Sequence, residues 1–304
     1  MAISRHQLVK ELEPGLNALF GLEYNRYDNQ HAEIYTSETS DRAFEEEVML
    51  SGFGNASVKS EGSGVAFDNA QESYSARYTH ETVALAFAIT EEAIEDNLYD
   101  RISSRYTKAL ARSMSNTKQV KAAALLNNGL PSVDGFDSGD GVSLFNTGHT
   151  TVSGTSVKNT LTTQADLNET SLEQAMIDIS GMTDERGLRI AAKAVKMIVP
   201  SANQFQAERL MKSQGRVGTA DNDINALGSM GMIPQGYRVN NFLTDTDSFY
   251  IITDVPNGMK MFTRAPLTTA MEGDFDTGNV RYKARERYSF GVSDYRGIFG
   301  VEGA

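Results

Sequence analysis

Catalysis needs acids, bases, nucleophiles or metal ligands at spacings that let them meet. The chain has four histidines, His6, His31, His80 and His149, and no cysteine. No two of the histidines stand at metal-ligand spacing, and no HExxH pair occurs. His80 and Glu81 are neighbours in a stretch that reads as strand, where adjacent side chains point to opposite faces, so they do not form a working pair. Without cysteine there are no disulfides, thiolate nucleophiles, Cys-ligated zinc or iron–sulfur clusters. Asp221-Asn222-Asp223-Ile224-Asn225 opens like a calcium loop, but Ala226 stands where the turn glycine belongs and Met232 where the bidentate glutamate belongs. There is no P-loop, no dinucleotide glycine fingerprint and no GxSxG elbow. The histidines read as ordinary surface or core residues, and no catalytic residue, metal or cofactor is expected.

Composition narrows the class further. Forty acids against 28 bases give a net charge of −12 over 304 residues, which argues against a nucleic-acid-coating protein because phosphate binding rests on Lys and Arg. An apolar fraction of 40% supplies a real core and excludes wholesale disorder. No apolar run reaches the roughly 20 residues of a membrane helix. The opening MAISRHQLVKELEPG lacks the apolar core of a secretory signal.

The elements that would carry any function are unequal in length. Residues 1–43 read as an arm with one short amphipathic piece (Ile3, Leu8, Val9, Leu12) stopped by Pro14-Gly15, then a patch at Leu16, Leu19, Phe20 and Leu22. Residues 44–89 read as a long hairpin with Gly/Ser-rich stretches at 51–55 and 60–64. Its return arm alternates on even positions (Tyr74, Ala76, Tyr78) and then on odd ones (Val83, Leu85, Phe87, Ile89). Strand side chains alternate with period two, so the parity flip near His80–Thr82 predicts a bulge or a change of buried face. Residues 90–128 predict one long helix. Thr90 is its N-cap, and Ile94, Leu98, Ile102, Tyr106, Leu110 and Met114 form a stripe at four-residue spacing, continued by Val120 and Ala124. Gly129 and Pro131 end it. At 1.5 Å per residue it would span about 55–60 Å, the length of a strut.

A loop-rich stretch follows to 167, then a compact α/β region. Thr170 with Glu173 and Ser201 with Gln204 have capping-box spacing. Strands are predicted at 195–199, 237–243, 249–254 and 259–264. Residues 214–231 are a polar, glycine-rich loop. Asn279–Val292 is a strand with interleaved charges (Arg281, Lys283, Arg285, Glu286, Arg287), which suggests intersubunit pairing or a polar face more than phosphate binding.

This order resembles the major capsid protein of tailed bacteriophages, of the Hong Kong ninety-seven type fold, and more narrowly the prophage-Mu-like head subunits. Phe44–Ile89 resembles that family's E-loop, and TEEAIEDNLYDRISSRYTKALARSMSNTKQVKAAALLNN (Thr90–Asn128) resembles the spine helix of its P domain. KMIVP and YIITDVPNGMKMFTR resemble the A domain, and FDTGNVRYKARERYSFGVSDYRGIFG the closing P-domain strand. The resemblance implies an α+β chain divided into an N-terminal arm (1–43), E-loop hairpin (44–89), P domain (90–166, spine helix 90–128), A domain (167–264) and closing strand with C-terminal return (265–304). The expected spine-helix core is Ile94, Leu98, Ile102, Leu110 and Met114.

By the same resemblance the subunit is not an enzyme. It self-assembles into hexamers and pentamers around double-stranded DNA, in a virion built in bacterial cytoplasm, with no membrane partner. Phe53, Lys59, Phe67, Tyr74 and Tyr78 of the hairpin, and Arg216, Asp221 and Asp223 of the 214–231 loop, are the expected inter-subunit contacts. A portal protein and a cement or decoration protein are further partners. The short arm leaves no room for a scaffolding domain, so a separately encoded scaffold is expected. Some relatives join a hairpin lysine to a neighbour's asparagine; Lys59 has the right type, but no facing asparagine or carboxylate is identifiable, and no cross-link is expected. Two alternatives stand beside this: an encapsulin-like nanocompartment shell enclosing protein cargo, and a soluble enzyme using the Asp-rich loops 134–140 and 221–225.

Overall fold

The computed structural model describes residues 5–90, 92, 99–133, 135–215, 224–274 and 278–304. The chain opens with helix α1 (Arg5–Tyr24), followed by strands β1 (Thr36–Thr39), β2 (Phe44–Leu50), β3 (Glu72–Thr79) and β4 (Glu81–Ile89) and the long helix α2 (Tyr99–Asn128). Next come the short strands β5 (His149–Thr150) and β6 (Ser156–Val157), helix α3 (Glu169–Ser180), β7 (Ala194–Val199), α4 (Gln204–Lys212), α5 (Ala226–Met230), β8 (Tyr237–Val239) and β9 (Phe249–Thr253). Strands β10 (Met259–Gly273), β11 (Val280–Val292) and β12 (Ile298–Val301) complete the chain. Two four-stranded sheets, ordered β1-β10-β11-β4 and β12-β9-β7-β8, and the separate ribbon β2-β3 make an α+β fold.

Helix α1 does not stop at Pro14-Gly15. Proline inside a helix removes a hydrogen bond and costs about 3 kcal/mol. Beyond Pro14, however, Leu16 and Phe20 are buried against Leu110, Ala111 and Met114 of α2 and Tyr282 and Ala284 of β11. Burying two such side chains contributes about 1.5–3 kcal/mol each, enough to carry the helix through.

The parity flip at residue 80 marks a change of sheet. Among the described residues strand β3 pairs with β2 alone, whereas β4 pairs antiparallel with β11, from Ile89 opposite Val280 to Glu81 opposite Tyr288. The hairpin is therefore 44–79 and not 44–89. His80 fills the joint, buried, its Nδ1 2.9 Å from Ser289 Oγ and its Nε2 2.9 Å from Ser40 Oγ. Residue 264 is likewise no boundary, because it lies inside β10. That strand pairs with β11 and, in parallel, with β1, and its register slips on both sides of Ala265, beside Pro266, which has no N–H to give the ladder.

Helix α2 joins two cores. Its middle packs Leu110, Ala111 and Met114 into the cluster under the first sheet. Its C-terminal part packs Ala122 and Leu126 into the large core with Leu144, Phe145, Leu172, Met197, Phe249 and Phe299 around the second sheet. The predicted stripe is corrected here: Leu110 and Met114 are buried, but Tyr106 and Val120 are about half exposed. At about 100° per residue Tyr106 lies about 80°, and Val120 about 120°, around the helix axis from Met114, outside the buried face. Ser103, Thr107, Ala111, Ser115, Gln119 and Ala123 are buried along the helix at four-residue spacing, with Leu110, Met114, Ala122 and Leu126 buried beside them. Ile94, Leu98 and the Ile102 side chain lie outside the described residues. Gly129 ends the helix without a left-handed turn: a Cβ there would lie 2.8 Å from the Leu125 carbonyl oxygen and 2.9 Å from Leu144 Cβ. The capping box of α3 is Asn168 with Ser171, two residues earlier than expected, and the turn Ser201–Asn203 precedes α4 without a side-chain cap.

The segment between α1 and β1 is pinned to α2. The His31 amide donates to Gln119 Oε1 (2.9 Å), Gln119 Nε2 donates to His31 Nδ1 (3.0 Å), and the Tyr35 hydroxyl donates to the Ala122 carbonyl (2.6 Å). Burial, assisted by the charge of Lys118, lowers the His31 pKa to about 4, against the opposing pull of the Gln119 hydrogen bond.

Two outcomes follow for stability. Leu110→Asp places an unpaired carboxylate in the α1–α2–β11 cluster and should lower the unfolding free energy by several kcal/mol in urea titration; an unchanged midpoint would contradict this packing. His31 is neutral when folded and charges more readily when unfolded. Its contribution is complete above about pH 6.5 and is lost as pH falls toward 4, by about 3 kcal/mol. The stability gap between wild type and His31→Gln should shrink by that amount over this window; a gap constant with pH contradicts it.

Candidate assembly interface

Ribbon β2-β3 pairs from Phe44 opposite Thr79 to Leu50 opposite Glu72. Past Ser51, whose amide donates to the Gln71 carbonyl, residues 52–70 leave the ladder. Gly52 and Gly62 take positive φ there, conformations that glycine enters without strain. The loop carries apolar side chains that its own chain does not cover: Val58 and Phe67 are each 97% exposed, and Val65 and Phe53 more than half exposed. Clustered exposure of this kind marks an interaction surface. The loop's tie to the rest of the chain is Asp68, which accepts from Arg186 (2.7 Å) and from the Gly54 amide (2.7 Å). These contacts hold the Asp68 carboxyl below the usual range, led by the Gly54 hydrogen bond.

The base of the ribbon is held differently, by buried charge. On β2, Glu47 pairs with Lys260 of β10 (2.5 Å), which also pairs with Glu38 of β1 (3.1 Å), and Glu47 accepts from Ser293. Burial alone would lower the Lys260 pKa, but the two carboxylates raise it above its ordinary value. On β3, Tyr78 lies against Gly291, at 2.5 Å from Ser293 Oγ, and edge-on to Phe262. Ser73 donates to Glu185 (3.0 Å). Glu185 pairs with Arg296 (2.5 Å), which also holds Asp294 (3.2 Å) and donates from Nε to the Thr183 carbonyl (2.8 Å). All three charged groups are less than a tenth exposed. Burial raises the Asp294 pKa, with Arg296 opposing. Tyr295 is sandwiched in this cluster, its ring 3.8 Å from that of His149, under Arg296 and beside Tyr74.

The expected contact residues therefore separate. Phe53, Lys59 and Phe67 are exposed on the loop. Tyr78 is 2% exposed and Tyr74 half-buried, its hydroxyl donating to the Ser293 carbonyl, so both belong to the internal anchor and not to a surface for neighbours. Arg216, Asp221 and Asp223 lie outside the described residues. Glu47, Lys260, Glu185 and Arg296 were not expected, since nothing local marks pairs separated by more than 100 residues. In the Asp-rich 134–140 loop Asp140 is held below its usual pKa, burial being outweighed by hydrogen bonds with His149 and Ser138; Asp134 lies outside the described residues. Among the described residues no group of three or more His, Asp or Glu is arranged to hold a metal, and no helix is long and apolar enough to cross a membrane.

Removing one partner of a buried ion cluster leaves uncompensated charge and typically costs about 3–5 kcal/mol. Arg296→Met should destabilise the chain by that order in urea titration and speed proteolysis at residues 52–70. Adding Glu185→Leu should recover part of the loss. A single variant as stable as wild type would show that the cluster does not anchor the ribbon.

Comparison with known proteins agrees with this geometry. No curated protein matches the sequence. Among solved structures, the procapsid of bacteriophage JBD30 superposes with a TM-score of 0.55 at 13% identity, over 99% of this chain and 77% of that one. The capsid of Myoviridae phage XM1 gives 0.53 at 13% identity, over 89% of each chain. A virus-like particle from Pyrococcus furiosus gives 0.51 at 11% identity, over 94% and 98%. At these identities the likeness establishes the fold, the Hong Kong ninety-seven type. The profile of the phage capsid protein family matches residues 73–301, from the root of the ribbon to the last strand, and the chain belongs to that family.

Proposed function

We propose that the protein is the structural subunit of an icosahedral phage head, whose copies form hexamers and pentamers around packaged double-stranded DNA. The observation that carries this is the projecting loop, apolar at Val58 and Phe67, uncovered by its own chain and held at its base by buried ion pairs. Subunits of a closed shell need surfaces that only other copies complete. In this reading the β2-β3 ribbon is the E-loop, the first sheet with α2 the P domain, and the second sheet with α3 and α4 the A domain. The boundaries differ from those expected: the ribbon ends at 79, and β10 belongs with the closing strand. The stretch 214–231, whose described part includes α5, is proposed to meet other copies at the capsomer axes. The role is architectural and not enzymatic. Portal, scaffolding and decoration proteins are its proposed partners, the virion its place, and host cytoplasm its site of assembly. The second reading, an encapsulin-like shell around protein cargo, has less support: the Pyrococcus furiosus virus-like particle shares the fold at 11% identity.

Purified protein should give closed shells in negative stain. Val58→Asp with Phe67→Asp should change folding stability by no more than about 0.5 kcal/mol, because both side chains are already in water. The same variant should form no shells, whereas normal shells from it would remove the loop from the interface. Nuclease-protected DNA in particles from infected cells supports a phage head, and a protein cargo supports the second reading.

A further inference from the structure

The anchor formed by Glu185 and Arg296 rests on a further polar side chain, His149 of β5. Its side chain is wholly buried, and its ring lies flat on that of Tyr295, the centroids 3.8 Å and the planes 7° apart. Both ring nitrogens face oxygen: Nδ1 is 2.6 Å from Asp140 Oδ2, and Nε2 is 3.1 Å from Asn159 Oδ1. A neutral imidazole has one N–H and one lone pair, so it satisfies only one of two acceptors. A charged imidazole has two N–H groups and satisfies both. Turning the asparagine amide so that it donates would remove the conflict, but its orientation is fixed. Asn159 Oδ1 also accepts from the Asn146 amide (2.9 Å), and Nδ2 donates to the carbonyls of Leu144 (2.7 Å) and Tyr295 (3.1 Å). The turned amide would set its NH2 against an N–H and its oxygen against two carbonyls. Moving the proton onto Asp140 is no remedy either. Burial pushes that carboxyl up, but hydrogen bonds with His149 and Ser138 hold it below its usual range, and its Oδ1 also accepts from the Val142 amide.

We propose that His149 is held as an imidazolium in the folded chain at neutral pH, and that its proton closes the ribbon's anchor, which rising pH releases. The charges around the ring agree. Among the described residues Asp140, Glu185 and Asp294 stand about Tyr295, none with a side chain more than 10% exposed, and the one other cation is Arg296, its guanidinium carbon 4.5 Å from the Tyr295 centroid. Three buried carboxylates against one guanidinium leave charge uncompensated, and an imidazolium makes the balance three against two. The face of the Tyr295 ring also attracts a cation. Two contacts carry the effect to the ribbon. Tyr295 stacks on Tyr74 of β3, their centroids 6.2 Å apart. Glu185 accepts both from Ser73 of β3 (3.0 Å) and from the Val152 amide (3.2 Å) in the turn that follows β5. A ring that loses its proton turns a lone pair toward an acceptor and removes one of two cations, beside the two groups that hold β3. The sign follows from linkage. Unfolded histidine is neutral above about pH 6.5, so folding takes up a proton there. The contribution is complete below that pH and declines as pH rises above it. The His31 effect runs the other way and acts below it. The inference concerns the single chain and does not depend on shell formation.

The direct test is magic-angle-spinning NMR of the full-length protein with nitrogen-15-labelled histidine, a method that reads free subunits and shells alike. At about pH 8 a solvated histidine is almost wholly neutral. One histidine, assigned through its contacts with the Tyr295 ring, should nevertheless show protons on both nitrogens. Its signal should vanish in His149→Gln, and in Asp140→Asn the same ring should keep a proton on Nε2 alone. A single proton on the ring of wild-type His149 overturns the inference, whether or not the variants fold. Urea titrations read the linkage. Relative to His149→Gln, the unfolding equilibrium constant of wild type should rise about tenfold for each pH unit above about 6.5, until the buried ring gives up its proton; a ratio independent of pH overturns the inference. Cleavage at residues 52–70 by one protease should accelerate between about pH 7 and about pH 9 more in wild type than in His149→Gln. Equal acceleration in both would separate the proton from the ribbon and overturn its role in the anchor.

Discussion

The structure depends on one constraint: a long ribbon carries apolar side chains that its own chain does not bury. A two-stranded ribbon is marginal alone in water. Left to itself the 44–79 segment would fold back or melt, and it would present no defined surface. What prevents this lies at its root. Glu47 and Glu38, both partly exposed, pair with buried Lys260, and Ser73 reaches the buried Glu185–Arg296–Asp294 cluster. The ribbon is therefore ordered where it touches the sheets and unsupported where it meets solvent. The Asp68–Arg186 pair is the modest link between those regimes, since partly exposed ion pairs contribute little.

Buried charge suits this role better than more apolar packing would. Apolar contacts are non-directional, and a ribbon held by them alone could slide or rotate with little penalty. A hydrogen-bonded ion cluster is satisfied only in one geometry, so it fixes direction even where its net contribution to stability is small. Helix α2 extends the same logic. It is shared by the α1–β11 cluster and the main core, so the first sheet, which carries the ribbon on its other face, and the second sheet are tied through one stiff element.

The sequence made legible whatever depends on local period and composition. Alternation in 72–89 located β3 and β4, and the parity flip at His80 announced the change of sheet without saying that two sheets were involved. The run to Asn128 showed a long helix, but an apolar stripe misplaced Tyr106 and Val120, because part of the buried face is polar, at Ser103, Thr107, Ser115 and Gln119, and carries no hydrophobic signal. Pro14 was misleading for a tertiary reason, since contacts of Leu16 and Phe20 with residues about 90 or more positions away override a local breaker. The candidate interface was half legible. Glycine and serine content indicated a projecting loop, and Phe53, Lys59 and Phe67 lie on it. Tyr74 and Tyr78 share the same alternation but face inward, and period-two patterning says which residues share a face, not what covers it. Arg296 and Glu185 carry no local mark at all, because their pairing exists only once the fold brings them together.

The acid excess then poses a physical question for any assembly of this chain. Copies of charge −12 repel one another, and shell closure places many of them side by side. At physiological ionic strength the screening length is about 8 Å, so repulsion between whole subunits fades over a distance shorter than a subunit's width. Contacts within a few ångströms are far less screened. Assembly is then decided by what stands at the contacts and not by total charge. A protein can keep an acidic surface that stays clear of packaged polyanion while concentrating its bases where a neighbour's acids arrive. Arg281, Lys283 and Arg285 are one such concentration of bases on an exposed sheet face, and Val58 and Phe67 of the projecting loop are apolar groups that their own chain leaves in water, so burial at a contact can outweigh what remains of the repulsion.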